Sequence, residues 1–399
     1  MSPEAAIPHE PLWDMSPLIE NGWDPDERCF VEGSGSLPSN DPNVPDAEWS
    51  VRFNNSGQTS EGCAFADRPE VAVRGALSRN ALDNPDNTLL GVGGGGFGET
   101  SLTVAGKADL LAAEAKKAGL GIFEFRGAEA LGIGTQSYNS PEHQAGNGKN
   151  GMGVCQADIF NQIKEAYSGV DLPNHIVVTA RSLGNQTFLG AIEALLRRAK
   201  ELNKEVKIVF VPEAGCPGTI ADFLQPHSVL QIGFPLLVQS LWQSYVSGNG
   251  LDMPAETKAR VMARPRQGLL GADPENLTDA EIFYNQMGGF GPSRTFAEAA
   301  MPFLGPKTWE RLATDPEIGP EFRAMPTLGI EAHTDQLLVA WRQKINALLI
   351  RSRLNLEPQQ THTLPKGTSH LAPIHPDHMD AAYRASYGEA MRKALAKIL

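Results

Sequence analysis

Four short apolar runs separated by helix-forming segments constrain this chain more than any other feature: TLLGV (88–92), GIFEFRG (121–127), HIVVTA (175–180) and EVKIVFVPEAG (205–215). Runs this short, rich in β-branched and aromatic residues and bounded by glycines, read as buried strands. Between the first two lies KADLLAAEAKKAG, whose helix formers stop at Gly119, a C-terminal cap. ADIFNQIKEAY precedes HIVVTA as a second helix. After HIVVTA, Phe188, Leu189, Ile192, Leu195 and Leu196 recur at helical spacing, and Arg197, Arg198 and Lys200 complement the helix dipole. Alternating strands and helices predict an α/β fold with a mostly parallel sheet flanked by helices.

The alternation has limits along the chain. Residues 1–60 are rich in Pro, Asn, Gly and Ser and read as an irregular arm ending in a strand around EWSVRF. A core is expected over 61–216 and again over 323–399, where AMPTLGIEAHTD, QLLVAWRQKINALLIRSR and THTLPKGTSH restore strand, helix and strand. In between, 217–322 carries long aromatic-rich helical stretches without a clear strand, as a helical cap inserted into the core would.

Composition narrows the partners. With 34 Lys and Arg against 47 Asp and Glu, the net charge of −13 disfavours nucleic acid, which needs a basic surface to displace counterions. Hydrophobic residues at 41 % and the absence of a long apolar run argue against a membrane span. The acidic, proline-bearing start shows no secretory signal, and Cys29, Cys63, Cys155 and Cys216 are too dispersed for a disulfide framework or zinc site. A cytoplasmic protein acting on a small molecule is expected.

Chemistry concentrates where HIVVTA meets its helix. There Ser182 sits in A-x-S-x-G, with Ala180 and Gly184 two positions to either side. A serine on a tight strand-to-helix turn needs such small neighbours because strand and helix pass close together. A serine hydroxyl is a weak nucleophile at neutral pH and requires a base, oriented by a carboxylate.

On these residues the sequence resembles the alpha/beta-hydrolase superfamily, over about 86–216 and 324–399. The resemblance implies an alpha/beta-hydrolase fold and a triad in chain order serine, acid, histidine, which Ser182, Asp335 and His370 fit. Glu213 is the alternative acid and Glu331 a weaker one; His375 is the alternative base, with His362 and His378 also nearby. The oxyanion hole would use the N–H groups of Leu183 and of Phe97, or its neighbour Gly96, in the glycine-rich stretch GVGGGGFG (91–98). No cofactor is implied. The resulting expectation is an esterase, lipase or thioesterase that hydrolyses an acyl bond through an acyl-enzyme. Phe234, Leu237, Trp242, Tyr245, Phe283, Tyr284, Met287 and Phe290 suggest a largely apolar substrate.

Two other readings compete. Gly91, Gly93 and Gly96 match G-x-G-x-x-G, and Glu124 could take the ribose hydroxyls of a dinucleotide in a Rossmann-type oxidoreductase. A catalytically inactive, hydrolase-like binding protein is the third class. The histidines and aspartates of HLAPIHPDHMD could bind a divalent metal, but their prolines break any helical ligand spacing, so no metal is expected.

Overall fold

Each of the four apolar runs forms a strand, and together with five others they make one nine-stranded sheet among the described residues. The computed structural model describes residues 11–21, 32–54, 68–83, 87–95, 101–128, 156–157, 159–181, 184–213, 307–333, 340–366, 368 and 381–399. The strands are β1 (Gly33–Leu37), β2 (Ala47–Asn54), β3 (Arg68–Ala76), β4 (Thr88–Gly95), β5 (Ile122–Ala128), β6 (His175–Arg181), β7 (Lys207–Glu213), β8 (Leu328–Glu331) and β9 (Gln360–Thr363). Their order across the sheet is β1-β2-β3-β5-β4-β6-β7-β8-β9. The first three are antiparallel to their neighbours, and every pairing from β5 to β9 is parallel.

The helices are α1 (Ser16–Asn21), α2 (Ser101–Lys117), α3 (159–166), α4 (Gly184–Thr187), α5 (Leu189–Glu201), α6 (Lys307–Thr314), α7 (Gly319–Ala324), α8 (Ala340–Leu354) and α9 (Ala381–Leu395). Because strand side chains alternate between faces, the sheet carries two separate cores. On one face Phe123, Phe125, Val177, Val209 and Val211 pack with apolar residues of α1, α2 and α9. On the other, Leu90, Val92, Ile176, Val178, Ala180, Ile208 and Phe210 pack with α3, α5, α6 and α7. The helix α2 ends as its sequence requires: Gly119 has φ of +80° and Leu120 N–H donates to the Ala115 carbonyl at 3.1 Å.

Three expectations change. First, besides the expected strand at Ala47–Asn54, the stretch 1–60 carries a second sheet strand, Gly33–Leu37, and Trp13 and Leu18 are fully buried. Second, α6 and α7 lie within the stretch 217–322 that the sequence reading set apart as an insertion, and both pack on the sheet. The α6–α7 pair belongs to the core: Trp309 lies 6.0 Å from the Phe210 ring of β7 and 5.6 Å from Phe322, and all three are buried. Residues 217–306 lie outside the described residues. Third, α9 is a helix that the alternation pattern did not reveal; Tyr383, Tyr387, Met391 and Leu395, one turn apart, form its buried stripe.

The glycine run also changes meaning. Gly91 and Gly93 are strand residues of β4, not turn residues. A Cβ on Gly91 would lie 2.5 Å from the Phe125 ring and 2.8 Å from Leu111, and one on Gly93 would lie 2.8 Å from Phe125. These glycines make room for an aromatic side chain of the neighbouring strand. A dinucleotide fingerprint needs its first glycines on the turn beyond the strand, so the Rossmann-type reading loses its main support. Glu124, its ribose ligand, is held within the sheet instead: Arg126 Nε lies 2.6 Å away and the Tyr167 hydroxyl donates to it at 3.2 Å.

Candidate active site

The parallel strands of the sheet end side by side. Gly95 of β4 pairs with Arg181 of β6, Arg181 with Glu213 of β7, and Glu213 with Ile330 of β8, whose neighbour Glu331 faces Thr363 of β9. This carboxyl edge of an open α/β sheet is where such folds bind ligands, because the helix-leading turns there expose backbone N–H groups and short side chains. By chain position, Ser182 and Leu183 directly follow Arg181 in the gap between β6 and α4; Gly96 and Phe97 follow β4. Asp335 comes shortly after β8 and His370 after β9. All six, together with His375, lie outside the described residues.

What is described at this edge is a buried charged cluster centred on Glu213. Val177, Thr179 and Arg181 share one face of β6, and Val209, Val211 and Glu213 share the same face of β7. The apolar layer under α2 and α9 therefore ends in a threonine, an arginine and a glutamate. Arg181 Nη2 donates to Glu213 Oε2 at 2.7 Å. The hydroxyls of Thr179 and of Tyr387 from α9 both donate to Oε1. Lys107 Nζ of α2 stands 3.9 Å from the same oxygen. Glu213 and Arg181 are 2 % exposed and Lys107 3 %, so water screens none of these charges.

The helix α4 is tied to this cluster as well. Asn185 Nδ2 of α4 donates to the main-chain carbonyl of Glu213 at 3.0 Å. Gln156 Nε2 donates to the Gln186 carbonyl at 2.8 Å, anchoring the same short helix. Burial pushes the Glu213 carboxyl up, but Lys107, Arg181 and the two hydroxyl donors outweigh it and hold it below its ordinary value. The Tyr387 phenol is pushed well up by burial and by the adjacent Glu213 charge.

The remaining described candidates have other partners. Glu331, at the end of β8, lies 3.1 Å from Lys344 Nζ of α8. His362 on β9 shares a 2.9 Å hydrogen bond with Ser386 and sits 3.2 Å from Lys393 Nζ, both on α9. Burial and the Lys393 charge lower its pKa. No group of three or more His, Cys, Asp or Glu suited to a metal ion occurs among the described residues. None of the helices among them is long and apolar enough to cross a membrane.

Sequence reasoning singled out Glu213 but missed Lys107, Arg181, Thr179 and Tyr387. A signal existed for one of them, Arg181. Arg181 and Glu213 break the apolar phase of adjacent strands at the same end with opposite charges, the mark of a cross-strand pair.

No protein-family model matches the chain, and no curated protein is matched by it. Among solved structures it is similar to a bacterial heroin esterase, with 16 % identity over 87 % of this chain and 84 % of that one, at a TM-score of 0.40. It is also similar to a soluble variant of monoglyceride lipase from Saccharomyces cerevisiae, with 12 % identity over 88 % and 96 % and a TM-score of 0.42. A third is the Cif epoxide hydrolase from Acinetobacter nosocomialis, with 10 % identity over 88 % and 89 % and a TM-score of 0.45. The strand order stands independently of these likenesses: parallel strands from β5 to β9, antiparallel strands beyond β5, and helices on both faces give the chain an alpha/beta-hydrolase fold.

Proposed function

We propose that the chain is a serine hydrolase that cleaves an ester or related acyl bond of a largely apolar small molecule. The observation that carries this reading is the convergence of β4, β6, β8 and β9 at one sheet edge. The segments that continue from these four strands contain Phe97, Ser182, Asp335 and His370 respectively. A nucleophile, a base, a carboxylate and N–H donors must meet within hydrogen-bond reach, and this topology brings their strand ends together.

In this mechanism His370 takes the proton of the Ser182 hydroxyl as its oxygen attacks the acyl carbonyl carbon. The N–H groups of Leu183 and Phe97, or Gly96 in its place, stabilise the negative oxygen of the tetrahedral intermediate. Collapse breaks the bond to the leaving group, which departs with the proton from His370 and leaves an acyl-serine. Water then attacks the acyl carbon, gives its proton to His370, and the intermediate releases the carboxylic acid and restores the serine. Asp335 orients the imidazole throughout, with Glu213 the second candidate for that role. The aromatic residues that the sequence carries between 217 and 322 favour an apolar acyl group.

The test is covalent labelling with a fluorophosphonate together with hydrolysis of p-nitrophenyl butyrate. Wild type should label and turn over. Ser182→Ala should lose the label and reduce turnover by at least about a thousandfold. No labelling of wild type would sink the proposal. Labelling without turnover on ester, thioester and amide panels would favour a binding protein.

A further inference from the structure

We infer that Glu213 is a positioning residue that clamps the turn bearing Ser182 from both sides, an inference resting on the serine-hydrolase reading above. Ser182 and Leu183 are the two residues between the end of β6 and the start of α4. The residue before them, Arg181, is held by the Glu213 carboxylate at 2.7 Å, and the helix after them is held through Asn185 by the Glu213 carbonyl at 3.0 Å. One residue on the neighbouring strand thus holds the side chain just before the nucleophile and the side chain three residues after it, the first by its carboxylate and the second by its main-chain carbonyl.

The clamp is itself made rigid by elements outside the turn. Thr179 and Tyr387 occupy Oε1, so the carboxylate cannot rotate without giving up hydroxyl donors from β6 and α9. Lys107, from α2, adds a second buried cation beside the same oxygen. With three donors already on its two oxygens, Glu213 is built to hold its neighbours rather than to follow a histidine through a reaction. Removing that carboxylate takes from two buried cations, Arg181 and Lys107, the counter-charge they share in a dry site. Such a change moves Arg181, and with it the residue it precedes.

Orientation at a nucleophile is worth large factors in rate, about a hundredfold for a misplacement of 1 Å. Glu213 and its partners need not contact the substrate for this. The clamp therefore predicts a fall in the rate of serine acylation with KM unchanged, which a general loosening of the fold would not produce.

The experiment measures the second-order labelling rate by fluorophosphonate, and kcat and KM for p-nitrophenyl butyrate. The proteins are wild type, Glu213→Gln, Asn185→Ala and the double variant, each verified as folded by its thermal transition. Glu213→Gln should slow labelling and kcat at least about tenfold, and Asn185→Ala several-fold, both with KM near wild type. The double variant should lose less than the product of the single losses, because both act through the same turn. If Glu213→Gln fails to fold, Asn185→Ala and Tyr387→Phe, which leave the Glu213–Arg181 pair in place, carry the test with smaller losses in the same direction. Wild-type rates in the folded variants overturn the clamp. So does a loss confined to Glu213→Gln, with Asn185→Ala and Tyr387→Phe at wild-type rates, which would assign Glu213 to the acid of the triad. Failure of wild type to label overturns the serine reading itself, and is distinguished by being seen without any substitution.

Discussion

The two faces of β6 and β7 are made by the same fourteen residues yet end in opposite ways. Toward α5, α6 and α7 the strands present Ile176, Val178, Ala180, Ile208 and Phe210, an apolar surface that Trp309 and Phe322 complete. Toward α2 and α9 they begin as Val177, Val209 and Val211 and end in Thr179, Arg181 and Glu213. The first face is held by burial, which is non-directional and additive in area. The second ends in charges whose removal from water is compensated only by directed partners. A fold uses the apolar face for stability; the charged end belongs to whatever must be held in one orientation at the carboxyl edge.

Substitutions can break this contrast in order of size. Glu213→Ala should destabilise the protein by about 3–5 kcal/mol in urea unfolding, because Arg181 and Lys107 lose their common counter-charge while remaining buried. Because the folded-state pKa of Glu213 is depressed, its stabilisation is complete above the ordinary carboxylate value of 4.5 and is lost as pH falls through the depressed value. The gap between wild type and Glu213→Ala should therefore be constant from neutral pH down to about 4.5 and narrow as pH falls from there through the depressed value. A gap that widens under acid would contradict an ionised Glu213.

Tyr387→Phe removes one hydroxyl donor to the carboxylate and should cost about 1.5–3 kcal/mol, narrowing under acid in the same way. On the apolar face, Ile176→Val should cost about 0.5–1.5 kcal/mol, with no dependence on pH over the same range. Equal pH responses at Tyr387 and Ile176 would erase the distinction between the two faces.

Much of this was legible from sequence because it depends on local period. HIVVTA, the stripe of Leu189, Ile192, Leu195 and Leu196, and the cap at Gly119 all follow from side-chain alternation, helical spacing and the conformational freedom of glycine. The glycines of β4 lent themselves to a competing dinucleotide reading because two structures share one string. A turn that approaches a phosphate and a strand that yields to Phe125 both require the absence of a Cβ, and only the neighbouring strand distinguishes them. The packing of α6 on the sheet was not legible for a similar reason. The amphipathic pattern around Trp309 says that one helix face is buried, but not whether Phe210 or a separate cap buries it.

The candidate site divides along the same line. The A-x-S-x-G string, the chain order of Ser182, Asp335 and His370 and the alternation of strands with helices belong to the sequence, because they are fixed by neighbours a few residues apart or by order along the chain. That Lys107, Thr179, Arg181, Glu213 and Tyr387 form one buried cluster was decided only by the tertiary structure. Those residues span 281 positions of the chain, from α2 to α9, and meet because parallel strand register sets Arg181 beside Glu213 while two distant helices close over them. Local period can say that a charge faces inward; only packing supplies the partner that allows it to stay there.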